Sequence, residues 1–371
     1  MAVTREQVLR ALSHVVDPES GRDVLRLNIV KGLRIAGDRV AFTVVLKNPT
    51  AAFANDVAEL CKTAIAREVG SGVAIDVKLD NEMIPLGEQL GDGGRSKQSA
   101  QPEGVVNFIA VASGKGGVGK STVASNLAVA LAQCGYEVGL VDTDMYGPSI
   151  PTMFGVEGEK PRVNDRRKIV PLERHGVRLL SMGMMVDPDK AVIWRGPMVS
   201  NAVRQFLGEA EWGQLDYLIL DLPPGTGDIQ LTIVQTVALT GAIVVSTPQR
   251  VALADARKGV AMFENVNVPV LGIVENMAYF TPPDLPDRKY FLFGERGARR
   301  LAEELGVPLL AEVPLEQTLR EMSDAGEPMV ISHPESPSSV AFRELAERVV
   351  EQVIIRNAEV EPTQKVEILY K

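Results

Sequence analysis

The sequence predicts an α/β protein whose mainly parallel sheet is flanked by helices and is preceded by a small α+β domain. From residue 105 onward, short apolar runs alternate with segments of helical periodicity. Continuous apolar runs are typical of parallel strands buried on both faces, and the alternation favours helices that cover both sides of one sheet. The strongest strand-like runs are Val105–Ala112, Val138–Val141, Tyr217–Leu220, Ala242–Ser246, Val270–Val274 and Leu309–Val313.

The N-terminal part carries a different pattern, which predicts the order α-β-β-α-β. A first run of apolar residues at helical spacing stops at the turn Asp17-Pro18-Glu19-Ser20, which we interpret as a helix stop rather than a site. Two strand-like runs follow, and a second helix with one apolar face precedes a last strand. These later elements are expected at Leu27–Ile35, Val40–Leu46, Val57–Ile65 and Val73–Leu79.

A change of composition separates the two patterns. Residues 87–104 contain five glycines together with serine, glutamine, aspartate and proline, and such a composition predicts a flexible linker. We therefore expect a small domain over residues 1–88, a linker over 89–104 and a larger domain over 105–356. The polar segment 357–371 is expected to form a loose tail.

Charge and composition exclude several classes of protein. The 371 residues include 39 basic and 48 acidic side chains, a formal charge of −9, which argues against a nucleic-acid partner. No segment reaches the roughly 18–20 consecutive apolar residues of a membrane span, and the first residues lack the apolar stretch of a signal peptide. Two cysteines exclude a disulfide scaffold and indicate a reducing compartment. We expect a soluble cytoplasmic protein without a membrane partner.

The sharpest motif is Gly114–Ser121, which reads G-K-G-G-V-G-K-S and matches G-x-x-x-x-G-K-[ST]. A predicted strand leads into it and an apolar-striped helix follows. Glycine backbone N–H groups would cradle phosphates, Lys120 would reach the β- and γ-phosphates, and Ser121 would bind Mg²⁺. The predicted nucleotide-binding residues of this stretch are Gly114, Lys115, Gly116, Gly117, Val118, Gly119, Lys120, Ser121 and Thr122.

Acidic residues follow two of the predicted strands. The segment Asp142-Thr143-Asp144 comes after one strand and Asp221 after another. In an open parallel sheet, ligands sit at the carboxyl ends of the strands, where these carboxylates would project. We expect Asp144 and Asp221 to hold Mg²⁺ through water. The loop from Asp221 to Asp228 contains two prolines and then two glycines, and it is suited to sensing a γ-phosphate.

The second lysine of the motif, Lys115, makes the loop more specific. The form K-G-G-V-G-K-S resembles the deviant phosphate loop of a dimeric ATPase superfamily that includes septum-site and plasmid-partition ATPases. The resemblance implies that Lys115 reaches across a homodimer interface to the partner's nucleotide, like an arginine finger. It also implies that Asp144 orients the attacking water and that Asn276 contacts adenine. The absence of N-K-x-D argues against guanine specificity.

Four further segments resemble the Mrp/ApbC family, whose members are ATP-dependent iron–sulfur cluster carriers. They are residues 142–151, 194–198, 247–255 and 275–277. The resemblance extends over roughly residues 105–350, and residues 1–88 resemble the small PaaD/SufT-like domain often found in front of such proteins. It implies ATP and Mg²⁺ as cofactors, an iron–sulfur cluster as cargo, and apoprotein clients and assembly proteins as partners.

One departure from this family concerns the cluster ligands. Most members carry a C-x-x-C shortly after the Glu-Asn-Met segment, but residues 279–290 contain no cysteine. The small domain usually has a cysteine where this chain has residues 48–52. Thiolates are the usual ligands of such clusters. The two remaining cysteines, Cys61 and Cys134, both lie on apolar helix faces and are predicted to be core residues.

Other residues are explained without a metal or catalytic role. His14, His175 and His333 are far apart in sequence and lack ligand spacing, so we assign no metal to them. Trp194 either anchors a surface loop on the core or lies at an interface, and Arg195 is either a solvated charge or an interface group.

Three interpretations follow from this sequence. The first is an ATPase of cluster assembly that binds its cluster unconventionally or transiently, with a partner supplying thiolates. The second is an ATPase that has lost the cluster and drives protein or small-molecule traffic. The third is a nucleotide-switched binding scaffold with very slow hydrolysis. Iron content distinguishes the first from the second, and turnover at saturating ATP distinguishes the third from both.

Overall fold

Two main sheets, one of three strands and one of eight, organise the described part of the chain. The computed structural model describes residues 3–18, 20–46, 52–70, 72–81, 102, 104–145, 147–184 and 196–360. Contacts divide the chain into an N-terminal unit of residues 1–97, joined by the C-terminal end of the last helix from Ile354, and a second unit built mainly from residues 98–353.

The N-terminal unit has the predicted order α-β-β-α-β. Thr4 caps the first helix in a reciprocal capping box with Gln7. The first two strands pair antiparallel and the last pairs parallel to the second. Alternate side chains of the second strand are buried against the helices. The elements are α1 Arg5–Leu12, β1 Val30–Ala36, β2 Arg39–Leu46, α2 Ala52–Val69 and β3 Ala74–Asn81.

The second unit contains the eight-stranded sheet and a two-stranded ribbon. Its strands are β4 Val105–Ala112, β5 Val138–Asp142, β6 Arg162–Val163, β7 Ile169–Val170, β8 Leu172–Arg174, β9 Val177–Ser181, β10 Leu215–Asp221, β11 Gly241–Ser246, β12 Val270–Phe280 and β13 Leu309–Leu315. Its helices are α3 Lys120–Gln133, α4 Ile150–Met153, α5 Gly196–Gly208, α6 Asp228–Thr236, α7 Arg250–Asn265, α8 Gly297–Leu305, α9 Gln317–Ala325, α10 Met329–Ser332 and α11 Pro337–Glu359, with a 3₁₀ turn at Met182–Met184.

The large sheet runs in the order β13-β12-β11-β4-β10-β5-β9-β8. All neighbours are parallel except the edge pair of β8 and β9. Every residue of β5, β10 and β11 is buried, and two apolar clusters cover the two faces of the sheet. The predicted fold class is confirmed, and all six predicted strands are present. The sequence patterns missed β8 and β9.

The predicted tail boundary is too early. Helix α11 continues to Glu359, which forms an ion pair with Arg5. Ala358 is buried in the apolar core of the N-terminal unit, and this burial explains why residues 357–359 are helical rather than loose. Residues 361–371 and nearly all of the predicted linker lie outside the described residues.

The two cysteines differ in exposure, and the prediction for Cys134 is wrong. Helix α3 ends at Gln133, and Cys134 is its exposed C-cap residue, because the chain turns away at Gly135 with φ of +81°. Cys61 is a core residue of α2, as predicted. Among the described residues, no helix is both long and apolar enough to cross a bilayer.

Candidate nucleotide-binding site

A phosphate-binding loop joins β4 to α3, where the motif predicted it. Gly117 and Gly119 adopt left-handed backbone conformations with φ of +80° and +81°, which few side chains tolerate. A Cβ at Gly119 would also collide with Asn276 Nδ2, so a side chain there would displace Asn276. Helix α3 then begins at Lys120. Its first N–H groups have no partner within the helix and are available to an anion.

Lys120 and Asp221 form a buried ion pair beside this loop. Lys120 Nζ donates to Asp221 Oδ1, and the side chains are 6% and 0% exposed. Burial raises the pKa of Asp221, and the adjacent Lys120 ammonium is the largest opposing influence. Asp221 Oδ2 makes no hydrogen bond of standard geometry within the described residues. A desolvated carboxylate oxygen of this kind suits a bound cation or an ordered water.

Two further carboxylates lie at the end of β5. The register of the sheet places Asp142 opposite Asp221 on the neighbouring strand β10. Asp142 Oδ1 accepts a hydrogen bond from the Asp144 N–H at 3.0 Å, and Oδ2 accepts one from Ser181 Oγ at 2.9 Å. Burial and the charge of Asp221 raise the pKa of Asp142 to about 7. Asp142 therefore fixes the backbone that carries Asp144.

Replacing Asp142 by asparagine should flatten the pH dependence of stability. Because the pKa of Asp142 lies above its ordinary value of 3.8, folding takes up a proton between about pH 4 and pH 7. This stabilisation is complete below about pH 4 and is lost as the pH rises to about 7, at up to about 1.4 kcal/mol per pH unit. The wild type should lose unfolding free energy over this range, and Asp142→Asn should lose less.

Urea unfolding between about pH 5 and pH 8, followed by tryptophan fluorescence, measures this difference. Both tryptophans, Trp194 and Trp212, belong to the second unit, so the signal reports the unit that contains Asp142. Ser181→Ala is the matched control, since it removes one hydrogen bond to Asp142 and keeps the carboxylate. Parallel pH profiles for the wild type and Asp142→Asn would contradict the raised pKa.

The loop after β10 is tied to the start of the phosphate loop. The Gly225 N–H donates to the Ser113 carbonyl at 2.8 Å, and Ser113 Oγ donates to the Lys115 carbonyl at 3.0 Å. Within the segment after β10, Gln230 Nε2 donates to the Pro223 carbonyl at 3.1 Å. The Lys115 side chain is exposed and forms no ion pair with any described residue. These hydrogen bonds connect the loop after β10 to the backbone of Lys115. A ligand that moves this loop would therefore also act on Lys115.

A cleft of about 250 Å³ opens at the phosphate loop. The structure brings eight of the predicted residues to it: Lys115, Gly116, Gly117, Gly119, Lys120, Ser121, Thr122 and Asp144. Four predicted residues do not line it, namely Gly114, Val118, Asp221 and Asn276. Five lining residues were missed: Ser113, Gly147, Ser149, Met153 and Pro224. The sequence feature that could have identified these five residues is their position in the segments beside the predicted glycines and carboxylates.

Asn276 lies under the phosphate loop, within β12 and four residues before its end. Its Nδ2 donates to the Val118 carbonyl at 2.9 Å, and the residue is 4% exposed. The preceding Glu275 accepts a hydrogen bond from the Ala298 N–H at the start of α8. Contact between Asn276 and adenine stays a prediction. The observed hydrogen bond to the Val118 carbonyl indicates that Asn276 stabilises the phosphate loop.

Replacing Asn276 by alanine should weaken the binding of ATP and of inorganic tripolyphosphate by a similar factor, on the order of tenfold. The reason is that the Val118 carbonyl loses its donor and the left-handed turn at Gly119 loses its support. Calorimetric titration with each ligand measures both affinities. An adenine contact would instead weaken ATP alone, so unchanged tripolyphosphate binding would contradict the loop-holding role.

The segment after β12 occupies the position expected for a C-x-x-C. Phe280 and Tyr290 exchange two backbone hydrogen bonds of 2.8 Å, which close a loop between them. Lys289 Nζ lies 3.8 Å from the centroid of the Tyr279 ring. The loop is therefore held by backbone pairing and a cation–π contact, and not by thiolates. Trp194 and Arg195, also predicted as interface candidates, lie outside the described residues.

The N-terminal unit has a separate cleft of about 670 Å³ between α1 and α2. Apolar side chains and the polar residues His14, Thr63, Arg67 and Glu68 line it. Nearby, the Asp17 carboxylate accepts hydrogen bonds from the N–H and Oγ of Ser20 and so holds a turn. The prediction that this turn stops the first helix is wrong, because α1 already ends at Leu12 and Val16 bridges to Asp23. Among the described residues, no group of three or more His, Cys, Asp or Glu is arranged to hold a metal.

The second unit's donor set suits a phosphate ester with Mg²⁺. Ser121 offers a hydroxyl, and Asp144 and Asp221 offer carboxylates, so all the donors are oxygen atoms, as Mg²⁺ prefers. Lys120 and the N-terminus of α3 supply positive charge on the same side of the cleft. The deeply buried Asp221 Oδ2 fits a role through water rather than direct contact.

Comparison with known proteins agrees with this geometry. Residues 104–350 match the family model described as NUBPL iron-transfer P-loop NTPase, and residues 5–79 match the model described as iron-sulfur cluster assembly protein. A relative from Synechocystis sp. named iron-sulfur cluster carrier protein is 48% identical over 354 residues, or 95% of this chain and 98% of the relative.

Two solved structures also resemble the chain. A nucleotide-binding protein from Archaeoglobus fulgidus in complex with ADP is 42% identical, with a TM-score of 0.54, and covers 60% of this chain and 87% of its own. The cell division ATPase MinD of Pyrococcus furiosus is 25% identical, with a TM-score of 0.51, over 66% of this chain and 98% of its own. The motifs, the sheet order and these matches together establish that the chain belongs to the Mrp/ApbC family of iron-transfer P-loop NTPases, with an N-terminal iron–sulfur cluster assembly domain.

Proposed function

We propose that this protein hydrolyses ATP and uses the cycle to bind an iron–sulfur cluster and pass it to apoproteins. The observation that carries this proposal is the buried Lys120–Asp221 pair beside a phosphate loop, in a chain of this family. The ADP held by the Archaeoglobus relative and the name of the Synechocystis relative support the two halves of the proposal. The cytoplasm, expected from the low cysteine content, stays a prediction.

The residues of the cleft have different roles in hydrolysis. Backbone N–H groups of the loop and Lys120 orient the phosphates. When ATP binds, the Lys120 ammonium leaves its ion pair with Asp221 and binds the β- and γ-phosphates. Asp144 orients a water in line with the γ-phosphorus. As the water oxygen bonds to phosphorus, the bond to the β,γ-bridging oxygen breaks, and ADP and phosphate leave. Ser121, and through water Asp144 and Asp221, would hold Mg²⁺, which would neutralise phosphate charge.

The active species of this proposal is a homodimer with nucleotide at its interface. Lys115 supports the proposal, because it lines the cleft yet is exposed and forms no ion pair within the described residues. A lysine in this position can add positive charge to the γ-phosphate of a second copy during the reaction.

A second candidate is a nucleotide-switched scaffold that holds no cluster. The loop after β12 favours it, because residues 279–290 provide no cysteine and the loop is closed by other contacts. This candidate keeps nucleotide binding and predicts neither iron transfer nor substantial turnover.

Two assays on the full chain test the proposal. Phosphate release at saturating ATP measures hydrolysis, and the activity that a cluster-dependent apoenzyme recovers when it is mixed with the protein, iron and sulfide measures transfer. Asp144→Asn is the control, because it should keep the fold and lose turnover. Transfer to the apoenzyme at the rate of free iron and sulfide would contradict the carrier role, and turnover equal to that of Asp144→Asn would contradict the ATPase role.

A further inference from the structure

The number of thiolates limits how this chain can carry a cluster, if the proposed function holds. Iron–sulfur clusters are typically held by about four cysteine thiolates, with histidine as an occasional substitute. The chain contains two cysteines, Cys61 and Cys134, and three histidines. Each cysteine can therefore be judged by its own surroundings.

Cys61 is unsuited to ligation because it lies in a closed apolar core. Its side chain is 0% exposed on α2, among Val57, Ile65 and the strands of the N-terminal unit. Burial raises the pKa of the Cys61 thiol to about 12. The thiolate is the form that binds metal, so Cys61 is both inaccessible and protonated at neutral pH.

Cys134 is exposed but distant from the nucleotide cleft. It follows the last residue of α3, and the phosphate loop precedes the first residue of that helix. A helix of 14 residues separates the two ends by about 20 Å. Cys134 is therefore out of reach of a cluster held at the nucleotide cleft.

We infer that this protein holds its cluster jointly with a second protein, which supplies most of the ligands as cysteine thiolates. Each chain contributes at most one thiolate to a given cluster, so the cluster is incomplete on this chain alone. The partner is therefore a protein with at least two accessible thiols close together, such as a scaffold or a client during transfer. The carried cluster belongs to a complex and not to the isolated ATPase.

Anaerobic reconstitution with iron and sulfide tests the inference on the full chain. The protein is loaded alone and with a soluble C-x-x-C peptide, then desalted, and iron and sulfide in the protein peak are counted. The matched control is Cys61→Ala/Cys134→Ser, with Cys134→Ser alone as a second variant if the core substitution prevents folding. We expect the protein alone to retain no more iron than the control, and the peptide to raise the retained iron about tenfold or more.

Other outcomes overturn the inference in distinguishable ways. A stoichiometric cluster on the protein alone, with or without its cysteines, would show that its own ligands suffice, and the carrier function would stand. No retention even with the peptide would overturn the inference, while recovery of the apoenzyme's activity would still test the carrier function separately. A thiol-reactive dye should label one cysteine in the native chain and the second only in denaturant. Rapid labelling of both cysteines in the native chain would show that Cys61 is accessible, and would contradict its exclusion as a ligand.

Discussion

Replacing Lys120 by methionine should abolish ATP hydrolysis and also destabilise the second unit. Turnover should fall by about 10²–10³-fold or more, because Lys120 is the positive group placed for the β- and γ-phosphates. Stability should fall by about 3–5 kcal/mol, because Asp221 would remain as a fully buried carboxylate without its partner. One substitution therefore has two effects with different physical origins.

A second substitution separates the two effects. In Lys120→Met/Asp221→Asn, neither residue carries a charge, so most of the lost stability should return while hydrolysis stays absent. The destabilisation of Lys120→Met should also be smaller near pH 5 than near pH 8, because a buried Asp221 without Lys120 can take up a proton at the lower pH.

Phosphate release and urea unfolding by tryptophan fluorescence measure both quantities on the same variants. Asp221→Asn alone completes the double-mutant cycle, since it leaves the buried lysine without its carboxylate. A stability of Lys120→Met equal to that of the wild type would show that the ion pair contributes little. Unchanged turnover in Lys120→Met would contradict the assignment of the loop.

The strands of the central sheet could be predicted because burial on both faces leaves continuous apolar runs. Strand β9 was missed because Arg178 interrupts its apolar run, and that guanidinium instead donates to the Trp212 carbonyl at 2.7 Å. Strand β8 is a short, partly exposed edge strand with the sequence Leu-Glu-Arg, which has no strand pattern. The first omission comes from a polar side chain whose partners lie far away in sequence, and the second from a strand too short and too exposed to show a pattern.

The errors at the two helix ends have different origins. Extending the apolar stripe of α3 to Cys134 ignored Gly135, a residue that commonly ends a helix and did so here. The helical end of α11 depends on Ala358 packing into a core formed by residues more than 290 positions earlier in the chain. Local patterns carry no information on such a contact.

The sequence predicts which residues form the candidate site, but not which of them contact one another. The spacing of the phosphate motif placed the glycines, Lys120 and Ser121 together, because that spacing encodes one loop. The pairing of Lys120 with Asp221 and the position of Asp142 opposite Asp221 depend on the strand order β4-β10-β5. That order is a tertiary property. The contact between Asn276 and the loop depends in the same way on the order β12-β11-β4.

Replacing Lys115 by alanine should remove turnover while leaving ATP binding intact. We expect a fall in turnover of about 10³-fold or more, as for other residues that add positive charge at the γ-phosphate. ATP affinity should stay within about twofold, because the loop backbone, Lys120 and Ser121 of the same chain remain. Lys160→Ala, which removes another exposed lysine of the second unit, is the matched control. Equal losses of binding and turnover would place Lys115 in its own chain's site.

Mixing two inactive variants tests whether Lys115 acts across the dimer. In a mixed dimer of Lys115→Ala and Asp144→Asn, the site of the first chain has an intact Asp144 and receives Lys115 from the second. Random mixing in equal amounts should restore about a quarter of wild-type turnover, since half of the dimers are mixed and one site in each is complete. If Lys115 acted within its own chain, both sites of the mixed dimer would lack an essential residue and no activity would return. The recovered activity therefore decides directly between action across the dimer and action within one chain.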